Sequence, residues 1–399
     1  MSLSLNKEQM NIEQMNIEQM LHKKSLFICV GAGGVGKTST AAALALQFAL
    51  KGKKALVLTI DPAKRLANAL GLSAFGNKET QISLDDILQM DSRDSDGELW
   101  AMMLDGKQTF DDLIEKLSKD EKSKQAILNN RVYKSITETI VGNQEYMATE
   151  KLYDVVCSDR YDVVVLDTPP VKNALDFLDS PGRMARFVDK KIMRWFLAPT
   201  ENKEKKLLGR LLEGTSSALF YLLGFIFGKE FLEDIAVFFN HFRDLYEGFH
   251  LRHSTVEKMF GADSTAFFIV TAPNEASVDV AEFFVSELEK REMDVSGVIV
   301  NQRHFVKKDV SKEVLDAELL KLCEQEGMEP SHAKKLYSRL TVAYERLLAL
   351  SEQEEMLEKR LSQNVHSGKI WSVPRLSGEV HDTVALKVLG EKLLNASAQ

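Results

Sequence analysis

Short, almost uninterrupted apolar runs recur along the chain at 26–30, 55–60, 161–166, 266–271 and 295–301. Between them, apolar residues return every three or four positions. Runs of this length without alternation predict strands buried on both faces, and the intervening period predicts helices. The expected fold is therefore α/β, a mostly parallel sheet flanked by helices. A last strand is expected near 369–373, and 382–394 reads as a terminal helix docked on the body.

Between the third and fourth runs the chain is far longer than one crossover helix needs. Helical spacing fills much of it, so a helical insertion is expected at about 185–260, before the fourth recognised strand. Within it Leu207, Leu208, Leu211 and Leu212 keep one face, and Phe231, Leu232, Ile235, Phe238, Phe239, Phe242, Leu245, Tyr246 and Phe249 keep another. Such stripes suit either a packed subdomain or an exposed groove for an apolar client. A polar helical segment at about 311–364 reads as a solvated hairpin. No long Gly, Ser or Pro linker interrupts the chain, so 25–399 is expected to form one domain carrying these insertions.

Residues 1–24 differ. Three pentads, beginning at Asn6, Asn11 and Asn16, each end in Met. A period of five turns each Met by roughly 140° around a helix, so no single apolar stripe forms, and a flexible arm is expected.

The chain has 399 residues, 44% of them apolar, 28% charged and 8 proline, which excludes long disorder and collagen-like repeats. Its 51 bases against 59 acids give a formal charge of −8, so no electrostatic nucleic-acid binder is expected. Cys29, Cys157 and Cys323 are too few and too dispersed for a disulfide framework or a CxxC clip, which points to a reducing, cytoplasmic location. Acids at Glu8, Glu13 and Glu18 replace the apolar run of a secretory signal. The longest uncharged stretch, 214–228, is shorter than the ~20 residues of a membrane span.

Chemistry enters after the first strand, at Gly31-Ala32-Gly33-Gly34-Val35-Gly36-Lys37-Thr38. This matches G-x-x-x-x-G-K-[ST] at each fixed position and precedes a helical stretch from Ser39 to Leu50. Glycines let backbone N–H groups turn toward phosphate, and the helix presents its positive end to the same anion. Gly33, Gly34, Val35, Gly36, Lys37, Thr38 and Ser39 are the candidate phosphate contacts. Lys37 would reach the β- and γ-phosphates, and the Thr38 hydroxyl would ligate Mg2+. The expected ligands are thus ATP or ADP with Mg2+. Asp167 ends the third run in Asp167-Thr168-Pro169-Pro170, at the mouth of the sheet, where a carboxylate can hold Mg2+. Asp61, in Thr59-Ile60-Asp61-Pro62-Ala63, could orient the attacking water, although an Asp-Pro turn ending a strand would also explain it.

The order G-A-G-G-V-G-K-T, Asp61-Pro62-Ala63, Asp167-Thr168-Pro169-Pro170 followed by Ala174-Leu175-Asp176-Phe177-Leu178, Val300-Asn301 and 373–381 resembles the ArsA family. That family includes arsenite-pump or anion-transporting ATPases and the ATPase that targets tail-anchored membrane proteins. The resemblance implies a P-loop ATPase that works as a homodimer, with switch loops around Asp61 and Asp167 and an unidentified protein or membrane-protein client. It implies that Asn301 contacts adenine and that the loop from Pro374 and Arg375 to Gly378 covers the base. A cytoplasmic protein is expected, with peripheral membrane association left open.

Two departures from the family stand out. The lysine that follows its first P-loop glycine and reaches across the dimer is Ala32 here, so slow hydrolysis or another base is expected. Lys64, Arg65 and Lys172 are the bases in or beside the switch loops. Neither the clustered thiols of arsenite pumps nor the CxxC zinc clip of the targeting ATPase occurs, and His250 with His253 lacks an acid or thiol to complete a metal set. Two alternatives stay open: a nucleotide-operated protein-binding switch with little turnover, and a septum- or chromosome-partitioning type ATPase.

Overall fold

The computed structural model describes Ile17–Met20, 23–61, 65–72, 76–85, 87, 96–131, 133–134, 144–169, 174–180, 245–306, 329–365 and 369–396, with single positions at 234–238 and 318–327. The strands are β1 (Leu26–Gly31), β2 (Lys54–Thr59), β3 (Thr80–Ile82), β4 (Glu98–Met103), β5 (Val163–Asp167), β6 (Thr265–Thr271), β7 (Val295–Arg303) and β8 (Lys369–Pro374). They form one sheet in the order β3-β4-β2-β5-β1-β6-β7-β8. Each neighbouring pair is parallel except the edge pair β3–β4, which is antiparallel.

The six expected strands are present, and β3 and β4 add to them. Leu99 to Leu104 is an apolar run that carries the signal for β4, directly after the acid-rich 91–98. β3 has three residues, too few for a period to show.

Strand periodicity divides the core in two. Leu26, Ile28 and Val30 of β1, with Val164 and Leu166 of β5, enter one core; Phe27 and Cys29, with Val163 and Val165, enter the other. Successive side chains of a strand point to opposite faces, so a run of apolar residues fills both cores.

One core lies under helix α1 (Lys37–Leu50), which is buried on all sides from Thr40 to Ala49. Its five alanines keep it slim enough to lie between the sheet and the C-terminal helix α9 (Thr383–Leu394). Gln47 Nε2 donates to the Lys387 carbonyl across that contact (3.2 Å). The expected docked helix is therefore α9, capped by Asp382, whose side chain accepts from the Ala385 N–H at 2.7 Å.

The other core is covered by α3 (Gly106–Leu117), α5 (Gln144–Val156), α6 (Tyr246–Phe260), α7 (Glu275–Lys290) and the end of α8 (Pro330–Asn364); α2 (Arg65–Ala69) and α4 (Glu121–Leu128) are short. Of the expected insertion at 185–260, α6 is described, with Leu245, Phe249, Val256 and Phe260 buried. The leucine stripe 207–212 and most of the phenylalanine stripe lie outside the described residues. Within the expected polar segment 311–364, residues 330–364 form one continuous helix that begins at Pro330, after a turn in which Gly327 adopts a φ of 62°; most of 311–328 lies outside the described residues. Its first twenty residues are mostly exposed, whereas Ser351, Glu354, Glu358 and Leu361 are buried. In the expected arm 1–24, Ile17 and Met20 are buried on one helical turn, and Lys24 Nζ donates to the Thr265 carbonyl.

An ionic cluster, buried at Glu150 and open to solvent at Lys116, joins α3, α5 and α6. Arg252 bonds Glu150 (2.6 Å) and Asp154, and Lys116 bonds Asp154 (2.5 Å). His253 Nε2 faces Glu150 Oε1 at 3.3 Å without hydrogen-bond alignment. Burial, reinforced by Arg252, pushes the His253 imidazole down to about 4. A base whose folded value is depressed contributes stability above its unfolded value, near 6.5, and loses it as pH falls toward 4.

Two predictions follow from this packing. Burial lifts the Glu150 carboxyl that faces this imidazole to about 7, so its protonation offsets the loss in the wild type; relative to wild type, His253→Gln should gain on the order of 2 kcal/mol of unfolding free energy between pH 6.5 and 4.5 in urea titrations. A Cβ on Gly297 of β7 would come within 1.8 Å of the Trp371 ring on β8, so Gly297→Ala should destabilise by about 1–3 kcal/mol in the same assay.

Candidate functional site

β1 ends in Gly31, whose φ of 150° brings the chain so close to β6 that a Cβ there would lie 2.0 Å from the Val270 carbonyl oxygen. Gly34 and Gly36 then adopt left-handed φ values of 80° and 94°, open to glycine and strained for other residues. A Cβ on Gly33 or Gly34 would meet nothing within 4 Å, so the loop keeps an open concave face. Directly after it α1 starts at Lys37, and its N-terminal N–H groups face the same space. The sequence thus builds an anion cradle at the carboxyl edge of a central strand.

Lys37 Nζ donates to the Gly31 (3.0 Å) and Ala32 (2.7 Å) carbonyls, and burial holds its ammonium below the ordinary lysine range. Next to it Thr38 Oγ1 donates to Asp167 Oδ2 at 2.7 Å, and Thr59 Oγ1 donates to the same oxygen at 2.9 Å. Asp167 ends β5 and is 1% exposed. Burial pushes its carboxyl up to about 6 despite the two hydroxyl donors. Its other oxygen, Oδ1, is buried with no hydrogen-bond partner. A carboxylate oxygen left bare beside a threonine hydroxyl suits a hard divalent cation, which takes oxygen ligands. Thr38 and Asp167 therefore fit Mg2+. Thr168 Oγ1 donates to the Cys29 carbonyl (2.8 Å), fixing the chain that leaves β5 to the strand beside it.

The cradle opens into a cleft of about 680 Å3, lined by Gly34, Gly36, Lys37, Thr38, Ser39, Asp61 and Thr168 at one end. Asp61 is 19% exposed, its N–H bonds Thr59 Oγ1 (3.3 Å), and Arg65 Nη1 lies 3.9 Å from its Oδ2. At the other end Asn301, Gln302, Arg375 and 376–381 line the cleft. Asn301 Nδ2 donates to the Val35 carbonyl at 2.9 Å. That bond orients the amide and leaves Oδ1 as its acceptor.

The structure brings Gly34, Gly36, Lys37, Thr38, Ser39, Asp61, Asn301 and Arg375 to the one cleft. Val35 takes part through its carbonyl, with its side chain buried. Asp167 sits beneath the cleft, bonded to Thr38. Gly33 and Pro374 flank the lining residues without being among them. Arg65, 61% exposed at its side chain, lines the cleft; Lys64 and Lys172 lie outside the described residues. Sequence reasoning missed Thr59, Gln302 and Arg303. A hydroxyl at the end of β2, facing the end of β5, was the available signal for Thr59; its register partner is Asp167.

Residues 24–350 match the family described as anion-transporting ATPase. The relatives include a protein named ATPase GET3 from Phaeosphaeria nodorum, 27% identical over 285 residues, 70% of this chain and 76% of that one. A protein of the same name from Aspergillus terreus is 27% identical over 346 residues, 84% of this chain and 89% of its own length. In Paramecium tetraurelia, ATPase ASNA1 homolog 1 is 26% identical over 280 residues, 69% and 74% of the two chains.

A Cβ on Gly36 would come within 2.2 Å of Asn301 Nδ2, in a backbone conformation that already disfavours a side chain. Gly36→Ala should therefore displace Asn301, weaken ATP binding at least tenfold in calorimetric titrations, and lower stability by about 1–3 kcal/mol.

Proposed function

This chain belongs to the anion-transporting ATPase family, and from that premise we propose that it is a Mg2+-dependent, homodimeric ATPase whose nucleotide state is coupled to an apolar or membrane-associated client. Its being an ATPase agrees with the relatives, which are named ATPases. Membership sets aside the septum- and chromosome-partitioning alternative. The observation that carries the catalytic reading is the bond from Thr38 to Asp167, which joins the anion cradle to a buried carboxylate at the end of the neighbouring strand.

In this reading the amides of 33–39 bind the phosphates of ATP, and Lys37 exchanges its two carbonyl partners for phosphate oxygens. Thr38 and Asp167 hold Mg2+. Bound there, the cation supplies positive charge to the β- and γ-phosphates. Asp61, at the phosphate end of the cleft, holds the attacking water in line. The Asn301 acceptor takes the exocyclic amine of adenine, and the loop beginning at Pro374 and Arg375 lies over the base.

Ala32 bears on rate. Its position offers a carbonyl to Lys37 and no charge to a partner subunit, so transition-state charge is neutralised from fewer sides and turnover is slow. Arg65 supports the reading that another base compensates, for it lines the cleft 3.9 Å from Asp61. The dimer and the client rest on the family resemblance. No described helix is long and apolar enough to cross a membrane. Of the aromatic stripe 231–249, the described Phe238, Leu245 and Phe249 are buried in the core, and a client surface would have to come from the stripe's other members.

Steady-state phosphate release from Mg-ATP tests this account. Asp61→Asn should keep ATP affinity within about threefold and lower turnover by 10²–10⁴-fold, whereas Lys37→Ala should abolish tight binding. Equal loss of binding in both variants would overturn the assignment of Asp61 to the chemical step.

A further inference from the structure

β7 carries one residue too many at its carboxyl end. Val300 pairs with Ser372 and Arg303 with Pro374, so three steps along β7 match two along β8. The extra residue is absorbed where Gln302 adopts a φ of 64°, a left-handed conformation that glycine visits freely and glutamine rarely. In an unbroken strand Asn301 and Gln302 would point to opposite faces. At this bulge both line the cleft.

Arg303 turns instead into the protein, 4% exposed, against α8. Its Nη1 donates to Glu354 Oε2 (2.8 Å), Ser351 Oγ (3.2 Å) and the His304 carbonyl (2.6 Å). Its Nε lies 3.1 Å from Glu358 Oε1 without hydrogen-bond alignment, a Coulombic contact. Glu358 also accepts from Ser372 Oγ at 2.6 Å, and Glu354 from the His304 N–H at 2.8 Å. Arg375 N–H closes the set on the Arg303 carbonyl (2.9 Å). A buried ionic set of this kind is a weak source of stability, since apolar groups of equal volume often serve better. A guanidinium does impose direction, because its donors lie in one plane at fixed angles.

We propose that Gln302 is a second base-reading residue beside Asn301, and that Arg303, tied to α8 through Glu354 and Glu358, is the positioning residue that holds both in the cleft. The inference rests on the nucleotide reading above. On its pairing edge adenine presents an exocyclic amine next to the ring acceptor N1, whereas guanine presents a carbonyl next to an N1–H; N7 is an acceptor in both and would not distinguish them. The Asn301 amide, oriented by Val35, offers an acceptor to the amine. Gln302 supplies the donor for the neighbouring ring nitrogen. One acceptor and one donor side by side match adenine and mismatch guanine.

The test is calorimetric titration of the full chain with Mg-ATP and Mg-GTP. Wild type should favour ATP, and Gln302→Ala should lower the ATP-over-GTP affinity ratio at least fivefold. Removing all three charges together, in Arg303→Met/Glu354→Gln/Glu358→Gln, leaves no buried ion unpaired and should lower the ratio comparably while melting stays cooperative. An unchanged ratio in folded Gln302→Ala would remove its reading role. A ratio changed there and unchanged in the folded triple variant would remove the positioning role of Arg303. Should the triple variant not melt cooperatively, Arg303→Lys decides, since it keeps a single point charge and loses the planar fork; a wild-type ratio there removes the positioning role. Wild type that binds neither nucleotide would instead overturn the nucleotide reading itself.

Discussion

A single carboxylate oxygen, Asp167 Oδ2, receives the hydroxyls of Thr38 and Thr59 and so ties three successive pieces of the active edge together. Thr38 lies in the first turn of α1, Thr59 ends β2 and Asp167 ends β5. Burying a carboxylate is costly, and here burial raises its pKa to about 6 even with two donors in place. In the proposed reading that cost is relieved at the bare Oδ1, where a divalent cation beside Thr38 would supply what the protein leaves out. A well-satisfied Asp167 would make a more stable protein and a poorer site for a cation.

The sheet order places this carboxylate where ligands belong. β1 lies between β5 and β6, and the chain runs outward on both sides, to β2 and β4 in one direction and to β6, β7 and β8 in the other. In open parallel sheets the crevice at such a reversal, outside the carboxyl ends, receives the ligand. In the proposed reading phosphate chemistry sits above β1, β2 and β5. In the same reading base recognition sits above β7 and β8, where Asn301, Gln302 and Arg375 line the cleft. The cleft spans these two halves because every one of those strands is parallel to its neighbour.

Much of this was legible in the sequence. The apolar runs announced six of the eight described strands because a strand buried on both faces needs no alternation. The motif from Gly31 to Thr38 announced the cradle, since only glycine is at ease with the φ values found at 34 and 36. What escaped was set by tertiary neighbours. β3 is too short to show a period, and β4 follows an acidic stretch that obscures its start. Thr59 matters through its register with Asp167, 108 residues away. Gln302 and Arg303 look like an ordinary strand end until the pairing with β8 shows the bulge between them and Val300. The docking of the end of α8 on β7 and β8, at Glu354 and Glu358, likewise became visible only through its partners Arg303 and Ser372.

The measurement that bears most directly on this account is the ATP affinity of the protein with and without Mg2+, in wild type and in Thr38→Val. If Thr38 and Asp167 hold the cation, Mg2+ should tighten ATP binding at least tenfold in wild type, and the substitution should remove that gain while sparing the affinity measured without the cation. Equal ATP affinity with and without Mg2+ in wild type, or a full Mg2+ effect in Thr38→Val, would contradict it.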